Sequence, residues 1–114
     1  MWYQVVDKAA VKGNYLEASG TAMFAYAIAK GVNKGYLSVS HMKTAELAYN
    51  GLINELIRKG EGGLFNLTQV CAVAGLGGNP YRDGTFDYYI NETIRSNDPK
   101  GTGPFILLSL ELNQ

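Results

Sequence analysis

The most continuous hydrophobic stretch of the chain covers residues 21–29, where nearly every position is apolar. Together with its neighbours it predicts a first helix over residues 17–30. That helix is expected to end at Gly31, because glycine readily takes the left-handed conformation that stops a helix. A helix without a polar stripe is stable only when it packs on several faces at once. The pattern therefore predicts an interior helix, whose alanines would let neighbouring helices approach closely.

A second helical pattern covers residues 40–59. Its apolar positions recur at helical spacing on one face: Ala45, Tyr49, Leu52 and Leu56. Polar residues are available for the opposite face, which predicts an outer helix with one buried side. Glycines at positions 60, 62 and 63 are expected to end it. A short alternation of apolar and polar residues over 64–70 then predicts a β element.

The last third of the chain begins with a glycine-rich segment. Residues 74–84 include four glycines and one proline, a composition typical of a loop. A short helix over 85–95 is predicted next, with Thr85 as its cap. Residues 96–101 are expected to interrupt the helical structure, and a final helix over 104–112 would begin at Pro104. The pattern as a whole predicts an all-α fold of about four helices with a short β element, in a single domain over residues 1–114.

Charge and composition exclude several classes of protein. Ten acidic residues balance ten basic ones, and the basic residues are scattered, so no nucleic-acid partner is expected. No apolar stretch is long enough to span a bilayer and no signal segment opens the chain, so no membrane is expected and the compartment stays open between cytoplasm and periplasm. Cys71 and His41 are the only residues of their types. We therefore expect neither a disulfide nor a metal site, and no cofactor is predicted.

Several ordered motifs resemble a known family. They are Trp2-Tyr-Gln-Val-Val-Asp7, Gly13-Asn-Tyr-Leu-Glu-Ala-Ser-Gly-Thr-Ala-Met23, Ala29-Lys-Gly31, Gly35-Tyr-Leu37, Cys71-Ala-Val-Ala-Gly-Leu-Gly-Gly78, Pro80-Tyr-Arg-Asp-Gly84, Tyr88-Tyr89 and Gly103-Pro-Phe105. Together they resemble the C-terminal part of glycoside hydrolase family 105, the unsaturated rhamnogalacturonyl hydrolases, and its family 88 relatives. The resemblance implies an (α/α) toroid of six helical hairpins with a sugar cleft at one end. Four helices would make up about a third of it.

The resemblance also implies a reaction and a substrate. Members of this family hydrate the 4,5 double bond of an unsaturated uronic acid at the end of a pectin-type oligosaccharide, with an aspartate as proton donor. That aspartate lies upstream of the matching region, so no catalytic residue is assigned among Asp7, Asp83, Asp87 and Asp98. The chain alone is expected to be inactive while contributing to the sugar cleft. The alternatives are a helical interaction or carbohydrate-binding module that self-associates, and a small enzyme assembled from repeated copies.

Two groups near the ends of predicted elements are candidates for sugar binding. Trp2 could act as a flat platform beside Gln4, a hydrogen-bonding neighbour, or could be an aromatic cap at a cut terminus. The amides of Gly75, Gly77 and Gly78 could bind a uronate carboxylate. The alternative for these glycines is a turn that requires positive φ.

A third candidate pair follows the glycines. Arg82 could bind a carboxylate with its forked guanidinium, and Tyr81 could bind a sugar hydroxyl. Alternatively, Arg82 could pair with Asp83 or Asp87 at the start of a helix. Glu17, at the start of the first helix, is interpreted as a structural residue that favours the helix dipole, with Ser19 as an end cap.

The predicted interior helix needs a partner that covers its apolar flanks. A third of a toroid would leave the flanks of this helix exposed, and an apolar face of that extent acts as an interface. The chain also opens on an apolar segment with no polar residues ahead of it, which indicates that an upstream part has been removed or never existed. We therefore expect either a homo-oligomer or a missing N-terminal part to cover the exposed flanks.

Overall fold

The computed structural model describes the whole chain, residues 1–114, and contains four α-helices. Their bounds are α1, Ala18–Asn33; α2, Met42–Gly51; α3, Phe86–Asn91; and α4, Pro99–Leu112. Two short antiparallel pairs of strands accompany them: β1, Ile57–Lys59, with β2, Phe65–Leu67, and β3, Val70–Cys71, with β4, Ile94–Arg95. The prediction of about four helices with a small β component is confirmed. None of the helices combines the length and the apolar character needed to cross a membrane.

Helices α1 and α4 run parallel and begin at the same end of the molecule. Near their N-termini, a Cβ on Gly101 would lie 3.8 Å from Cβ of Ser19. Near their C-termini, Asn33 Nδ2 donates to the carbonyl of Glu111 at 2.8 Å. The positive ends of both helix dipoles are therefore close together.

Helix α2 runs antiparallel to α1. A five-residue π-helical turn, Leu52–Leu56, extends α2. At the end of this turn, the Leu56 carbonyl accepts a hydrogen bond from Thr68 N, which lies just before β3 in the sequence. Its contact with α4 is aromatic and polar: Tyr49 stacks on Phe105 with 5.4 Å between ring centroids, and its hydroxyl lies 3.1 Å from Ser109 Oγ. The three helices thus enclose one core.

Small side chains dominate that core. The buried alanines are Ala18, Ala22, Ala25 and Ala29 of α1 and Ala45 and Ala48 of α2. They let the helices approach closely, as predicted, and Leu52, Val70 and Leu108 fill the remaining space. Helix α1 packs against α2, α4 and β3, but one of its faces stays open, where Met23 is 42% and Phe24 47% exposed. Packing on several faces is therefore confirmed, whereas the prediction of an interior helix is wrong for the chain by itself.

The end of α1 lies beyond the predicted stop. Gly31 is helical, and a Cβ there would lie 2.9 Å from Leu37 Cδ1, so this glycine serves the close approach of Leu37. The helix ends at Asn33, and the turn that follows uses Gly35 at a φ of +75°. Sequence alone could not distinguish a glycine required for packing from one required for a left-handed turn.

The predicted second helix, over 40–59, differs at both ends. Ser38 caps a short 3₁₀ turn at Val39–His41, so helical structure starts slightly early. It stops at Leu56, because the next three residues pair as β1 with β2 across the glycine turn. The predicted β element over 64–70 is two strands with different partners, since β2 pairs with β1 and β3 pairs with β4.

The last two helices also have different bounds from those predicted. Helix α3 covers Phe86–Asn91 only, because Ile94 and Arg95 pair with β3. Helix α4 begins at Pro99 and not at Pro104, so the predicted interruption over 96–101 covers residues 96–98 only. Asp98 is the cap, with its carboxylate accepting from Lys100 N at 3.0 Å, and Pro99 occupies the first turn.

Candidate functional site

The carboxylate of Glu17 organises the end of the molecule where α1 and α4 begin. It is buried, and Oε1 accepts hydrogen bonds from Ser19 N, Ser19 Oγ and Cys71 N at 3.2, 2.7 and 2.9 Å. Oε2 accepts from Gly20 N. Glu17 itself therefore caps α1, with Ser19 as a donor to it, and the same carboxylate ties β3 to the helix.

Two adjoining clefts flank this carboxylate. The smaller one, here called the Trp2 cleft, has a volume of about 120 Å³ and is lined by Trp2, Tyr3, Gln4, Val6, Glu17, Gly20, Thr21 and Phe24. The larger one, here called the Lys100 cleft, has a volume of about 330 Å³ and is lined by Gln4, Glu17, Ser19, Gly20, Met23, Cys71, Val73, Ala74, Tyr89 and Lys100. They share Gln4, Glu17 and Gly20, so they adjoin each other in one region of the surface.

Trp2 and Gln4, predicted together, lie together at this region. The Trp2 ring packs edge-on against Phe24 with 5.3 Å between centroids, and its backbone N donates to Thr21 Oγ1 at 3.0 Å. Gln4 Nε2 donates to Cys71 Sγ at 3.3 Å and lies 3.5 Å from the Tyr89 carbonyl. Both side chains are thus held by contacts with α1 and with the segments beside it.

The glycine loop uses most of its amides internally. Gly75 N donates to the Tyr88 hydroxyl at 3.1 Å, and Gly77 N donates to the Arg82 carbonyl at 2.8 Å. Gly77 and Gly78 have φ values of +72° and +87°, which only glycine adopts easily. Of the three predicted amide donors, the Gly78 amide alone has no partner in the chain. These facts favour the turn over a ready-made anion site.

Arg82 packs into the glycine loop. Its Nε donates to the Gly77 carbonyl at 2.8 Å and its Nη2 to the Leu76 carbonyl at 3.4 Å. A Cβ on Gly75 would lie 2.6 Å from Arg82 Nη1, so a larger residue there would displace the guanidinium. The suggested pairing of Arg82 with Asp83 or Asp87 is wrong, because the guanidinium binds loop carbonyls instead.

Tyr81 and Arg82 line a third cleft, away from the first two. It has a volume of about 520 Å³ and is lined by Asn79, Pro80, Tyr81, Arg82, Tyr88 and Glu92. Tyr81 is 74% exposed there. Helix α3 separates the regions, since Tyr88 lines the third cleft and Tyr89 lines the Lys100 cleft. The predicted residues therefore fall into two groups: Trp2 with Gln4, and Tyr81 with Arg82.

The residues of the Lys100 cleft that sequence reasoning missed include Met23, Cys71, Tyr89 and Lys100. Cys71 is buried, as expected of a small hydrophobe, yet its sulfur accepts a hydrogen bond from Gln4. For Lys100 a signal was available, because a lysine directly after an Asp-Pro helix start places a cation at the positive end of a helix. Nothing in the sequence brings Tyr89 and Met23 together.

Asp83 and Asp98 have lowered pKa values, which favour the ionised form of their carboxylates. Hydrogen bonds from Thr85 N and Oγ1 lower the pKa of Asp83. Hydrogen bonds from Lys100, first from its backbone N and then from its side chain, lower the pKa of Asp98, and Arg95 adds to this. A general acid requires the opposite shift, toward the working pH. Neither aspartate is therefore in an environment suited to donating a proton.

A buried phenol lies beside Cys71. Burial, and then the neighbouring Cys71 and Glu17, raise the pKa of Tyr15, and its hydroxyl is buried without a hydrogen-bond partner in the chain. The group therefore stays neutral. No cluster of three or more His, Cys, Asp or Glu side chains is placed to hold a metal ion.

Comparison with known proteins gives consistent results. The model of glycosyl hydrolase family 88 matches residues 1–114. Two curated relatives, Protein Atu3128 of Agrobacterium fabrum and the 24.9 kDa protein in picA locus of Rhizobium radiobacter, are each 40% identical over 117 residues, covering 97% of this chain and 50% of theirs. The chain thus spans about half the length of these relatives.

Solved structures place the same helices in a longer protein. A family 105 glycoside hydrolase from C. acetobutylicum is 58% identical, with a TM-score of 0.93, over 98% of this chain and 31% of that one. A possible member of the GH105 family from Salmonella enterica is 29% identical, with a TM-score of 0.75, over 98% and 26%. The chain therefore belongs to glycosyl hydrolase family 88 and corresponds to a part of the (α/α) toroid that its GH105 relatives form.

Proposed function

We propose that this chain is the C-terminal portion of an unsaturated glycuronyl or rhamnogalacturonyl hydrolase, where it forms one wall of the sugar cleft. The observation that carries the proposal is the pair of adjoining clefts at the shared start of α1 and α4. The Trp2 cleft and the Lys100 cleft together offer both an aromatic ring and an amide. The ligand is an unsaturated uronic-acid oligosaccharide of the kind released during pectin degradation.

The chemistry of this wall suits a sugar. Sugar rings bind to an aromatic surface through their apolar face and to amides or hydroxyls through their oxygens. Trp2 supplies the first kind of contact, and Gln4 supplies the second. In the third cleft, the exposed Tyr81 and Arg82 are proposed to meet a more distant part of the oligosaccharide, with the neighbouring loop of Gly75, Gly77 and Gly78 beside them.

The acid is proposed to come from another part of the toroid. Hydration of a vinyl ether requires protonation at carbon and attack by water at the neighbouring carbon, which one well-placed carboxyl group can serve. Within the cleft, both oxygens of Glu17 are occupied by donors from α1 and β3. Asp83 and Asp98 have lowered pKa values. The role supported for this chain is therefore substrate binding.

A chimera tests the proposal. The C. acetobutylicum relative is 58% identical over 98% of this chain, so this chain can replace the matching 31% of that protein with most contacts preserved. We expect the chimera to consume an unsaturated digalacturonide or rhamnogalacturonide, followed as loss of the ultraviolet absorbance of the double bond. Trp2→Ala in the chimera should raise KM, because the aromatic platform is lost.

The matched control is Tyr36→Ala, which removes another aromatic ring, 81% exposed and outside all the clefts. It should leave KM unchanged. A folded chimera in which Trp2→Ala and Tyr36→Ala behave alike would remove Trp2 from the sugar cleft.

A second role is favoured by one observation. Five large apolar side chains of the paired helices α1 and α4 are at least two-fifths exposed: Met23, Phe24, Ile106, Leu107 and Leu110. We propose that this surface is covered in the working protein, either by the rest of the toroid or by another copy of the chain in a homo-oligomer. If copies associate, a helical interaction or carbohydrate-binding module is the alternative function.

A further inference from the structure

Lys100 occupies an electrostatically unfavourable place. It lies in the first turn of α4, where the free N–H groups of the helix already carry partial positive charge. Proteins break such local rules mainly at functional sites. Its side chain lines the cleft that we named after it, at the end of the molecule where α1 begins.

The local charge balance around Lys100 is positive. Its Nζ lies 3.2 Å from Asp98 Oδ2, and Arg95 Nη1 lies 3.7 Å from the same oxygen. Two cations thus share one carboxylate. Nζ also donates to the carbonyl of Ala72, which leaves one of its three protons without an acceptor in the chain. The Lys100 side chain is 45% exposed, so that proton is accessible to a ligand.

The rest of the cleft is compatible with an anionic sugar. Glu17 is the other charged residue in its lining, and the donors on its two oxygens include three backbone amides, which offset its charge. Met23 and Val73 offer apolar surface, 42% and 60% exposed, and Gln4 offers a neutral amide. The volume of about 330 Å³ falls at the small end of the range of ligand pockets.

We propose that Lys100 is a specificity residue that binds the carboxylate of the uronic acid and so distinguishes it from a neutral sugar. The inference rests on the proposed function, since it assumes that the Lys100 cleft receives sugar. Lys100 takes no part in proton transfer in this account. Its ammonium supplies a charge-assisted hydrogen bond, which is stronger than one between neutral groups.

Binding to the full chain tests this inference. Backbone amide NMR titrations would compare unsaturated digalacturonate with neutral galactobiose. Lys100→Met keeps the aliphatic stem and removes the charge, and we expect it to raise Kd for the uronate roughly tenfold, as loss of a hydrogen bond to a charged group does. Galactobiose binding should not change. Lys100→Arg should retain the preference for the uronate.

The control variant is Lys43→Met, which removes an exposed lysine of α2 outside the cleft and should leave both affinities unchanged. Equal uronate affinity of wild type and Lys100→Met, both folded, would overturn the role of Lys100. Equal affinity of the wild type for the two sugars, or no uronate binding at all, would overturn it as well. The chimera decides separately whether the proposed function survives.

Discussion

Glu17 shows how one side chain supports a whole site. Its carboxylate joins the start of α1 to β3 and lines both clefts, so its loss should affect stability and cleft geometry together. Glu17→Gln keeps the size of the side chain but places an NH₂ group where an oxygen now accepts. We expect the free energy of unfolding to fall by about 1–3 kcal/mol.

Urea denaturation measures this change. Glu46→Gln, an exposed residue of α2, is the matched control and should change the free energy of unfolding by less than about 0.5 kcal/mol. Equal stability of the two variants would show that the buried carboxylate contributes nothing beyond its volume.

The lowered pKa of Asp98 predicts how the stability of the chain changes at acidic pH. Hydrogen bonds from Lys100 lower its pKa in the folded chain below the ordinary value of about 3.9. A carboxylate with a depressed folded pKa stabilises the fold above the unfolded pKa, and this contribution is lost as the pH falls through the folded pKa. We therefore expect Asp98→Asn, which keeps a good helix cap, to reduce stability at pH 6 more than at pH 2.

Urea unfolding at the two pH values is the measurement. Asp87→Asn in α3 provides the comparison, because it changes the same kind of side chain outside this ion-pair network. An equal effect of Asp98→Asn at pH 6 and pH 2 would contradict the assigned interactions.

The packing of α4 against β2 and β3 depends on a glycine. A Cβ on Gly101 would lie 2.7 Å from Val70 Cγ2 and 3.3 Å from Leu67 Cδ2, inside the core. Gly101→Ala should therefore destabilise the chain by about 1–3 kcal/mol, the usual effect of overpacking. In the same helix, a Cβ on Gly103 would meet nothing within 4 Å. Gly103→Ala should have no cost, or raise stability by up to about 1 kcal/mol through helix propensity.

Thermal or urea unfolding of the two variants distinguishes packing from propensity. If Gly101→Ala were as stable as Gly103→Ala, the close approach of α4 to β2 and β3 would be incorrect.

The elements that sequence predicts well are those with strong local signals. The alanine-rich α1 and the Thr85 cap of α3 follow from periodicity and capping residues. The helical patterns include Ile57–Lys59 and Ile94–Arg95, but both segments are strands in the structure. The strands that pair with them are distant in sequence or follow a glycine turn, so local periodicity does not predict the pairing. The start of α4 differs for another reason. The sequence contains two possible helix starts, Asp98-Pro99 and Pro104, and the structure uses Asp98-Pro99.

The site was predictable in part for the same physical reasons. Trp2 and Gln4 are close in sequence and share a cleft. Lys100 reaches the adjoining cleft, which Gln4 also lines, only because α4 runs parallel to α1, and no local pattern reveals this. Arg82 was expected to pair with a nearby aspartate, but the loop carbonyls formed by its own turn are closer.

At the scale of the whole molecule, the chain is more open than a closed domain. Its radius of gyration is 15.1 Å, against about 13 Å for a compact domain of similar length. Only 18 of 114 residues are buried. Both values agree with a part of a ring whose flanks face solvent.

This openness predicts self-association of the isolated chain. Several large apolar side chains of α1 and α4 are exposed, and monomeric proteins rarely leave large apolar patches uncovered. Light scattering at micromolar concentration should give a mass well above 12.4 kDa, and Met23→Lys with Leu107→Lys should lower it. Leu47→Lys, on an exposed position of α2, is the control and should leave the mass unchanged. A monodisperse monomer of the unaltered chain would contradict this prediction.

The central claim is that this chain supplies a binding wall and that the acid lies elsewhere in the toroid. The rate at which the ultraviolet absorbance of unsaturated digalacturonate falls tests it most directly, measured for the chimera and for this chain alone. We predict turnover by the chimera and none by the isolated chain. Robust turnover by the isolated chain, or a folded chimera without activity, would contradict the account.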